Sequence, residues 1–598
     1  MLKDKLRGRK PADLRHERDD LGFVRRPEVR WLSPGLLARS GVEVIVSGTF
    51  GKFADKREIQ RESQDGLDYS DATGDLWVDY LSDTGDGWEA TYTMAWLLAQ
   101  PALEAGDETL PRGRMLMLGG DQVYPSATPE QYEDRFIGPF ASALPRYEHP
   151  DKPDMYALPG NHDWYDGLVS FLRVFCAREG RVGDWNTRQR RSYFAVKLPN
   201  NWWIWAIDIQ LDTYIDDVQL DYFLKQQVAP GDKIILMTAK PAWVKAVPGR
   251  AEPPSWRYLS YFEERVVAAK EAKLVMTITG DLHHYARYEP TGAGADDAPT
   301  RITAGGGGAY LSPTHTLKQT LDVRSLDHDA SVAYERAEIY PRGTESRRLS
   351  SGILKLALLN PSFAALLGGL YVLLGVAMLG ALNAGEAPLL ESAAGFAAFI
   401  SAAAGGMSII LALVLFAGVF AGTDVKPDAL ETKRAKRARV QAAKVLVTVV
   451  HGLIHLLVAA GLVYLAVSIA PDGAPIVAWL LAVVLLFAAG VAIGTTVYAI
   501  FLLAIHKIRG SKAPEAANMV FTGQSIADYK NLVRIRFAAD GSVTLYPLGV
   551  DEIGRDWRYE GPAGEGPRFE PRGTPPTVHP IDGPLKFDAS GHRSYQGS

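Results

Sequence analysis

The stretch MLMLGGDQVYPS, residues 115–126, decides how this chain is read. Its apolar run, Met115 to Leu118, lies between Arg114 and Gly119-Gly120, the pattern of a short buried strand that opens into a loop. Asp121 follows at once, Tyr124 stands three residues further on, and Pro125 fixes the turn. In open α/β sheets, ligands sit beyond the carboxyl ends of strands. A lone aspartate in that place more often caps a turn or the next helix. A metal-binding reading of Asp121 therefore requires partners at other strand ends.

The chain supplies them. LWVDYLSDTGDGWEATYTMAW, from residue 76, is an apolar alternation ending at Asp83, then Gly85-Asp86-Gly87, then a helical pattern. MYALPGNHDWYDG, from residue 155, places Asn161, His162 and Asp163 after another apolar run. KLVMTITGDLHHYARY, from residue 273, ends a further strand in Asp281, His283 and His284. Each alone has an ordinary explanation, such as an Asx-turn for G-N-H-D or a surface turn for H-H. Their joint occurrence in this order does not.

The series D-x-G, G-D-x-x-Y, G-N-H-D, G-D-x-H resembles the calcineurin-like metallophosphoesterase superfamily, and the tyrosine after Asp121 is most similar to its purple acid phosphatase branch. The longer segments GGDQVYP, PGNHDWYDGL, RSYFAVKLP, GDLHHY and GGAYLSPTH resemble a group of multi-pass membrane members from plants and bacteria. The resemblance covers about residues 70–320. It implies a hydrolase acting on a phosphate ester, with Asp83, Asp121, Tyr124 and His283 on one metal ion and Asp121, Asn161 and Asp281 on a second. Asp121 would bridge the two. His162 would donate a proton to the leaving oxygen or hold a phosphoryl oxygen, and Asp163 would orient its imidazole. Two cations about 3.5–4 Å apart can activate a water and stabilise an in-line displacement.

Three positions depart from the commonest pattern. Gly85 stands where many members have histidine, although the purple acid phosphatase branch also has glycine there, and Asp281 replaces the first histidine of G-H-x-H. In IILMTAKPAWV the usual histidine two residues before the proline is Ala239, which removes a ligand from the second metal. The remaining oxygen ligands suit Mn, Mg or Fe better than Zn. His284, or His315 in GGGGAYLSPTH, is a candidate to fill the gap. Lys240 and the Arg188, Arg190, Arg191 group are candidates for an anionic substrate, although a solvated basic loop explains the arginines as well. Trp164 and Tyr165 either wall the pocket or pack in the core.

Residues 352–507 differ in kind, being dominated by Ala, Leu, Val and Gly. Four stretches, roughly Ser362–Leu382, Gly395–Ala421, Val445–Ala470 and Ile476–Ile505, reach the ~20 residues that cross a bilayer as helix. Lys433, Arg434, Lys436, Arg437 and Arg439 in the central loop predict that it is cytoplasmic. The N-terminus has no apolar core of signal-peptide type, which predicts that both termini and the soluble domain are cytoplasmic as well. The single cysteine, Cys176, agrees with a reducing compartment, and a net charge of -5 gives no indication of nucleic acid. His451 and His455 share one face of the third stretch, where they could bind metal, relay protons or bond to neighbouring groups. After the helices, YKNLVRIRFAADGSVTLYPLGV reads as a β-hairpin around Asp540-Gly541 that packs on the soluble domain, followed by a Pro- and Gly-rich tail expected to be flexible.

The expected architecture is α/β: an extension (1–70), a four-layer α/β/β/α sandwich (71–345), a four-helix transmembrane domain (352–507), and a small hairpin with flexible tail (508–598). The expected partners are a phosphate-ester substrate and the lipid bilayer, with homo-oligomerisation open. The expected function is membrane-anchored, two-metal phosphoester hydrolysis. The alternative, favoured by Ala239, is a degenerate phosphoesterase that binds a phosphorylated ligand and signals through the helices.

Overall fold

The computed structural model describes residues 18–36, 67–146, 152–210, 215–245, 253–324, 331–384, 431–471, 475–509, 514–561 and 566–594. Two β-sheets face each other. The first has, in spatial order, strands Arg593–Ser594, Leu585–Phe587, Val543–Val550, Lys530–Phe537, Leu76–Leu81, Met115–Leu118, Asp154–Ala157, Trp185–Thr187 and Gly180–Val182, with His579–Pro580 beside Val543–Val550. The second runs Thr320–Arg324, Ser331–Tyr340, Tyr285–Thr291, Thr300–Ala304, Lys273–Thr279, Lys233–Thr238, Trp202–Ile207 and Phe194–Leu198.

Period-two side-chain alternation sorts the layers. In the 115–118 strand, Met115 and Met117 enter the core between the sheets with Tyr80, Trp202, Ile204, Met276 and Ile302. Leu116 and Leu118 face outward onto Trp88 and Tyr92 of helix Trp88–Ala99 and onto Phe136 and Phe140. On the other outer face Trp205, Ile234 and Leu236 pack with Phe223, Trp256 and Phe262. The 76–81, 115–118 and 154–157 strands are parallel, with Leu81 beside Leu118 and Leu118 beside Ala157. Their carboxyl ends therefore line up at one edge, and the parallel 233–238, 273–279 and 300–304 strands end at the matching edge of the second sheet.

The C-terminal region departs from its expected role as an appendage. Strand Lys530–Phe537 pairs antiparallel with the central 76–81 strand, Arg534 opposite Asp79, and so extends the first sheet beyond its oldest edge in sequence order. The supposedly flexible tail supplies Leu585–Phe587 and Arg593–Ser594 to the same sheet, and Phe569 packs edge-on against Trp88 and Tyr92. The domain does not close at residue 345. Pro- and Gly-rich composition hides these short strands because Leu585–Phe587 buries only two apolar side chains and Arg593–Ser594 buries none.

Between Tyr340 and Lys530 lie the apolar helices Pro361–Ala384, Glu431–Ile469 and Pro475–Ala489, the last continuing through Gly490–Gly494 into Thr495–Arg509. Among the described residues two helical stretches, Val445–Ile469 and Ile476–Ile508, are long and apolar enough to cross a membrane, or three if Gly343–Leu359 and Pro361–Val376, bent by 66°, count as one. Four spans are thus not met by the described residues, and the expected second span, 395–421, lies outside them. Gly490 lets two of these helices touch: a Cβ there would lie 2.7 Å from the Cα of Gly368. His455 Nε2 is 2.9 Å from His451 Nε2, and its Nδ1 is 2.6 Å from Tyr371 Oη, so both His455 nitrogens meet neighbours inside the bundle, while His451 Nδ1 is buried with no hydrogen-bond partner among the described residues. Helix Pro514–Thr522 then returns the chain to the sheet.

Candidate active site

Asp83, Asp121 and Asp281 lie two or three residues beyond strand ends, and all three adopt the left-handed region, with φ of 62°, 48° and 63°. Such backbone costs a non-glycine residue roughly 1–3 kcal/mol and persists where its surroundings over-determine it, typically at functional sites. Here it turns each carboxylate back over its sheet edge. The turn also needs room: a Cβ on Gly160 would collide with Asp121 Oδ1, so glycine is required for the Asn161 loop to approach this aspartate. Asp83 is held from behind by the Gly305–Gly308 run, with Gly307 N–H donating to Ser82 O (2.8 Å) and Ala309 N–H to Asp83 O (2.9 Å).

The Tyr124 hydroxyl is the centre of the constellation. It lies 2.9 Å from Asp83 Oδ1, 3.3 Å from Asp121 Oδ2 and 3.2 Å from His283 Nε2. His283 Nε2 is also 3.6 Å from Asp83 Oδ1. His283 Nδ1 sits 2.8 Å from the Tyr310 carbonyl, an acceptor only, so Nδ1 carries the proton and Nε2 turns its lone pair to the cluster. Asp281 joins through its backbone, its N–H donating to Asp83 Oδ2 at 3.0 Å.

Burial, then Asp121, pushes the Asp83 carboxyl well above the usual carboxylate range, and burial with Asp281 pushes Asp121 up to about 7. Burial, then Lys530, pulls His283 down to about 3. Three crowded carboxylates beside a neutral imidazole are an environment that a cation would relieve. Counting only His, Cys, Asp and Glu, no group of three or more among the described residues forms a metal cage. Tyr124 makes the difference, since its oxygen bridges the other three side chains.

The other candidates separate. Asn161 Nδ2 donates to Tyr165 Oη (3.2 Å) and its Oδ1 accepts from Gln210 (3.4 Å). Asp163 does not take up the expected place behind His162. Its fully buried carboxylate accepts from Gly160 N–H (2.9 Å), Gln122 N–H (3.2 Å) and Tyr132 Oη (2.5 Å), while the Pro125 carbonyl stands 2.6 Å from His162 Nδ1. Successive side chains of the tight turn Asp163–Asp166 diverge by about 120°, so adjacency in sequence does not give contact. His162 instead bonds Asp121 through its backbone N–H, at 2.8 Å from Oδ1.

Ala239 is buried beside Gly120, where a Cβ would lie 2.8 Å from its own. His284 is buried with neither ring nitrogen hydrogen-bonded among the described residues. His315 lies at the junction with the helices, 2.8 Å from Ser346 Oγ and 2.9 Å from His506 Nε2. The guanidinium of Arg191 stacks over Tyr222 at 4.7 Å, a packing position, and Arg188 pairs with Asp154 at the opposite end of the strands. Lys240 is half-buried after Ala239. Sequence reasoning missed Trp31, whose ring meets Tyr124, His162 and Tyr310 edge-on at 5.6–5.8 Å, because the N-terminal segment bears no local signal of this contact. It also missed Tyr310, Gln210 and the buried Lys530.

Residues 76–285 match the family model for calcineurin-like phosphoesterases. The segment that carries Asp83, Asp121, Asn161 and His283 is thus a calcineurin-like metallophosphoesterase domain. Among solved structures, this chain resembles a purple acid phosphatase isolated from yellow lupin (Lupinus luteus) seeds, at 12% identity and a TM-score of 0.28 over 45% of this chain and 48% of that one. It also resembles PhoD, at 10% identity and a TM-score of 0.27 over 46% of this chain and 70% of that one. The chain therefore spans about half the length of the first of these. No curated protein matches it.

Proposed function

We propose that this protein is a membrane-anchored phosphoesterase that hydrolyses a phosphate ester with two metal ions. The observation that carries the reading is the Tyr124 hydroxyl within 3.3 Å of Asp83, Asp121 and His283, on a loop whose aspartate has left-handed backbone. The family implies a dinuclear centre. Asp83, Asp121, Tyr124 and His283 would hold the first ion, with both carboxylate oxygen and imidazole nitrogen on offer. Asp121, Asn161 and Asp281 would hold the second, an all-oxygen set suited to Mn, Mg or Fe. When bound, the ions supply an activated water and neutralise phosphoryl charge.

The chain's own residues do the rest. His162, its Nδ1 engaged at Pro125 O, handles the leaving-group proton at Nε2. Asp163 is a positioning residue: by accepting from both Gln122 and Gly160 it ties the Asp121 loop to the Asn161 loop. The apolar helices would anchor the domain, with the Lys433–Arg439 cluster favouring a cytoplasmic face.

The test is full-length protein assayed for bound metal and for hydrolysis of 4-nitrophenyl phosphate and its bis-ester under Mn, Fe, Zn and Mg. Metal bound at Asp121-dependent sites together with turnover is expected. Ala239 supports a second reading, a phospho-ligand-binding module, and that reading takes over if metal and phosphate bind but no ester is cleaved under any of the four ions.

A further inference from the structure

The entrance to the candidate site has a direction. Asp83, Asp121, Tyr124 and His283 are buried, whereas Trp31, Asn161, His162, Tyr165, Asp281 and Tyr310 are partly exposed, so the mouth lies on the side of Trp31 and Tyr310. That side is also where the apolar helices join. The Tyr310 ring stands edge-on to His283 at 4.8 Å, and its hydroxyl accepts from Asn518 of helix Pro514–Thr522 at 3.4 Å. The next residue, Leu311, packs in one cluster with Leu32, Ile353, Leu356, Phe501 and Ile505. Tyr310 and Leu311 thus link the candidate metal ligand His283 to the cluster that holds the end of the 476–508 helix.

The level of the bilayer surface can be read from the same cluster. Residues Gly343–Leu359 lie at 66° to the apolar helix that follows. While Ile353 and Leu356 bury against the domain, Leu354 (48% exposed), Leu358 (56%) and Leu359 (37%) face out, flanked by exposed Arg347, Arg348 and Lys355. Apolar side chains beside basic ones on a short helix are the chemistry of an element lying in the headgroup layer. From there, outward-facing Leu366, Leu373, Leu446, Leu457, Leu480 and Val484 continue along the helices. At about 1.5 Å per residue the 476–508 helix is roughly 50 Å long, more than a bilayer core of about 30 Å, so its Phe501–Ile508 end is free to sit against the domain. Tryptophan and tyrosine, the residues that favour the membrane interface, form the mouth.

The geometry points to a phosphate ester carried by a lipid of the adjoining leaflet as the substrate, with its acyl chains left in the bilayer and only the phosphate reaching Asp121. This rests on the hydrolytic reading above. Water adds its oxygen to phosphorus, the P–O bond to the lipid alcohol breaks, and the water proton passes to that alkoxide through His162. No other co-reactant is needed.

Matched pairs test it: phosphatidate against glycerol 3-phosphate, and phosphatidylglycerol against glycerophosphoglycerol, each lipid presented in phosphatidylcholine bilayers that hold the full-length protein. At least a tenfold higher kcat/KM for the acylated member of one pair is expected. Leu358→Glu and Leu354→Glu should reduce that preference fivefold or more and leave the water-soluble esters unaffected. A second readout is independent of turnover. An environment-sensitive dye on Leu358→Cys, in a Cys176→Ser background, should be blue-shifted and quenched by nitroxides near the headgroup. Hydrolysis of the soluble esters without preference for the acylated ones, or a dye in water, overturns the lipid assignment alone. Absence of hydrolysis of every ester under every metal overturns it together with the hydrolytic reading.

Discussion

Arg534→Met tests whether the C-terminal strand completes the phosphoesterase domain. Arg534 has no solvent exposure, and its guanidinium donates to Asp79 through Nε (2.6 Å) and Nη2 (3.0 Å) and to the Leu110 carbonyl through Nη1 (2.7 Å). Methionine keeps the apolar stem but leaves the Asp79 carboxylate buried, with Gly113 N–H (2.9 Å) as a remaining donor. Removing one partner of a buried pair costs about 3–5 kcal/mol. The surviving Gly113 bond places the expected loss near the lower end, about 3 kcal/mol, or a fall in Tm of roughly 4 °C for a domain of this size. Intrinsic fluorescence of the full-length protein in detergent would follow it. Asp79→Leu/Arg534→Met should recover at least half the loss, because the uncompensated charge is then gone. The reasoning fails if Arg534→Met shifts Tm by less than 1 °C, or if the double variant is destabilised by the sum of its parts.

Further outcomes follow from the site. Asp121→Ala should remove detectable turnover and lower metal content, while Tyr124→Phe should keep metal with weaker affinity; a ferric ion on Tyr124 would also give a visible band that the phenylalanine variant lacks. In chelated, metal-free protein the raised Asp121 pKa, about 7 against an ordinary 3.8, contributes stability at low pH that is lost as pH rises through 7, so Tm should climb from pH 7 to pH 5 and Asp121→Asn should flatten that slope. Ala239→His, beside Gly120, should tighten the weaker metal tenfold or more by titration; unchanged affinity would show that the backbone there no longer supports a ligand. Asp163→Asn should lower kcat at constant metal content, and equal loss of metal would make it a ligand-shell residue instead.

The strand ends were legible because each joins an apolar run to a glycine and a polar residue within five positions, as in LGGD and ALPGNHD. The backbone that aims the aspartates was not, since left-handed φ at Asp83, Asp121 and Asp281 is imposed by the loops behind them. Those loops include Gly305–Gly308, in turn backed by Asn531 N–H on Gly306 O at 3.0 Å, a contact between residues more than two hundred positions apart. One long-range pairing did leave a trace. LWVDYL carries Asp79 and LVRIRF carries Arg534 and Arg536 within apolar strands, and opposite charges in two otherwise buried strands satisfy each other best as direct neighbours, as Asp79 and Arg534 are.

The route of the chain through the sheet also limits how it can be threaded through a bilayer. The polypeptide leaves the sandwich after Tyr340 and re-enters it at Lys530, so both points belong to one folded body on one side of any membrane. Whatever crosses in between must cross an even number of times. Two long apolar helices satisfy that rule; a third crossing by the bent Gly343–Val376 pair would oblige a fourth before residue 514, and the sequence offers Gly395–Ala421 for it. Charge clusters can decide which compartment the domain occupies, but they cannot separate residue 340 from residue 530.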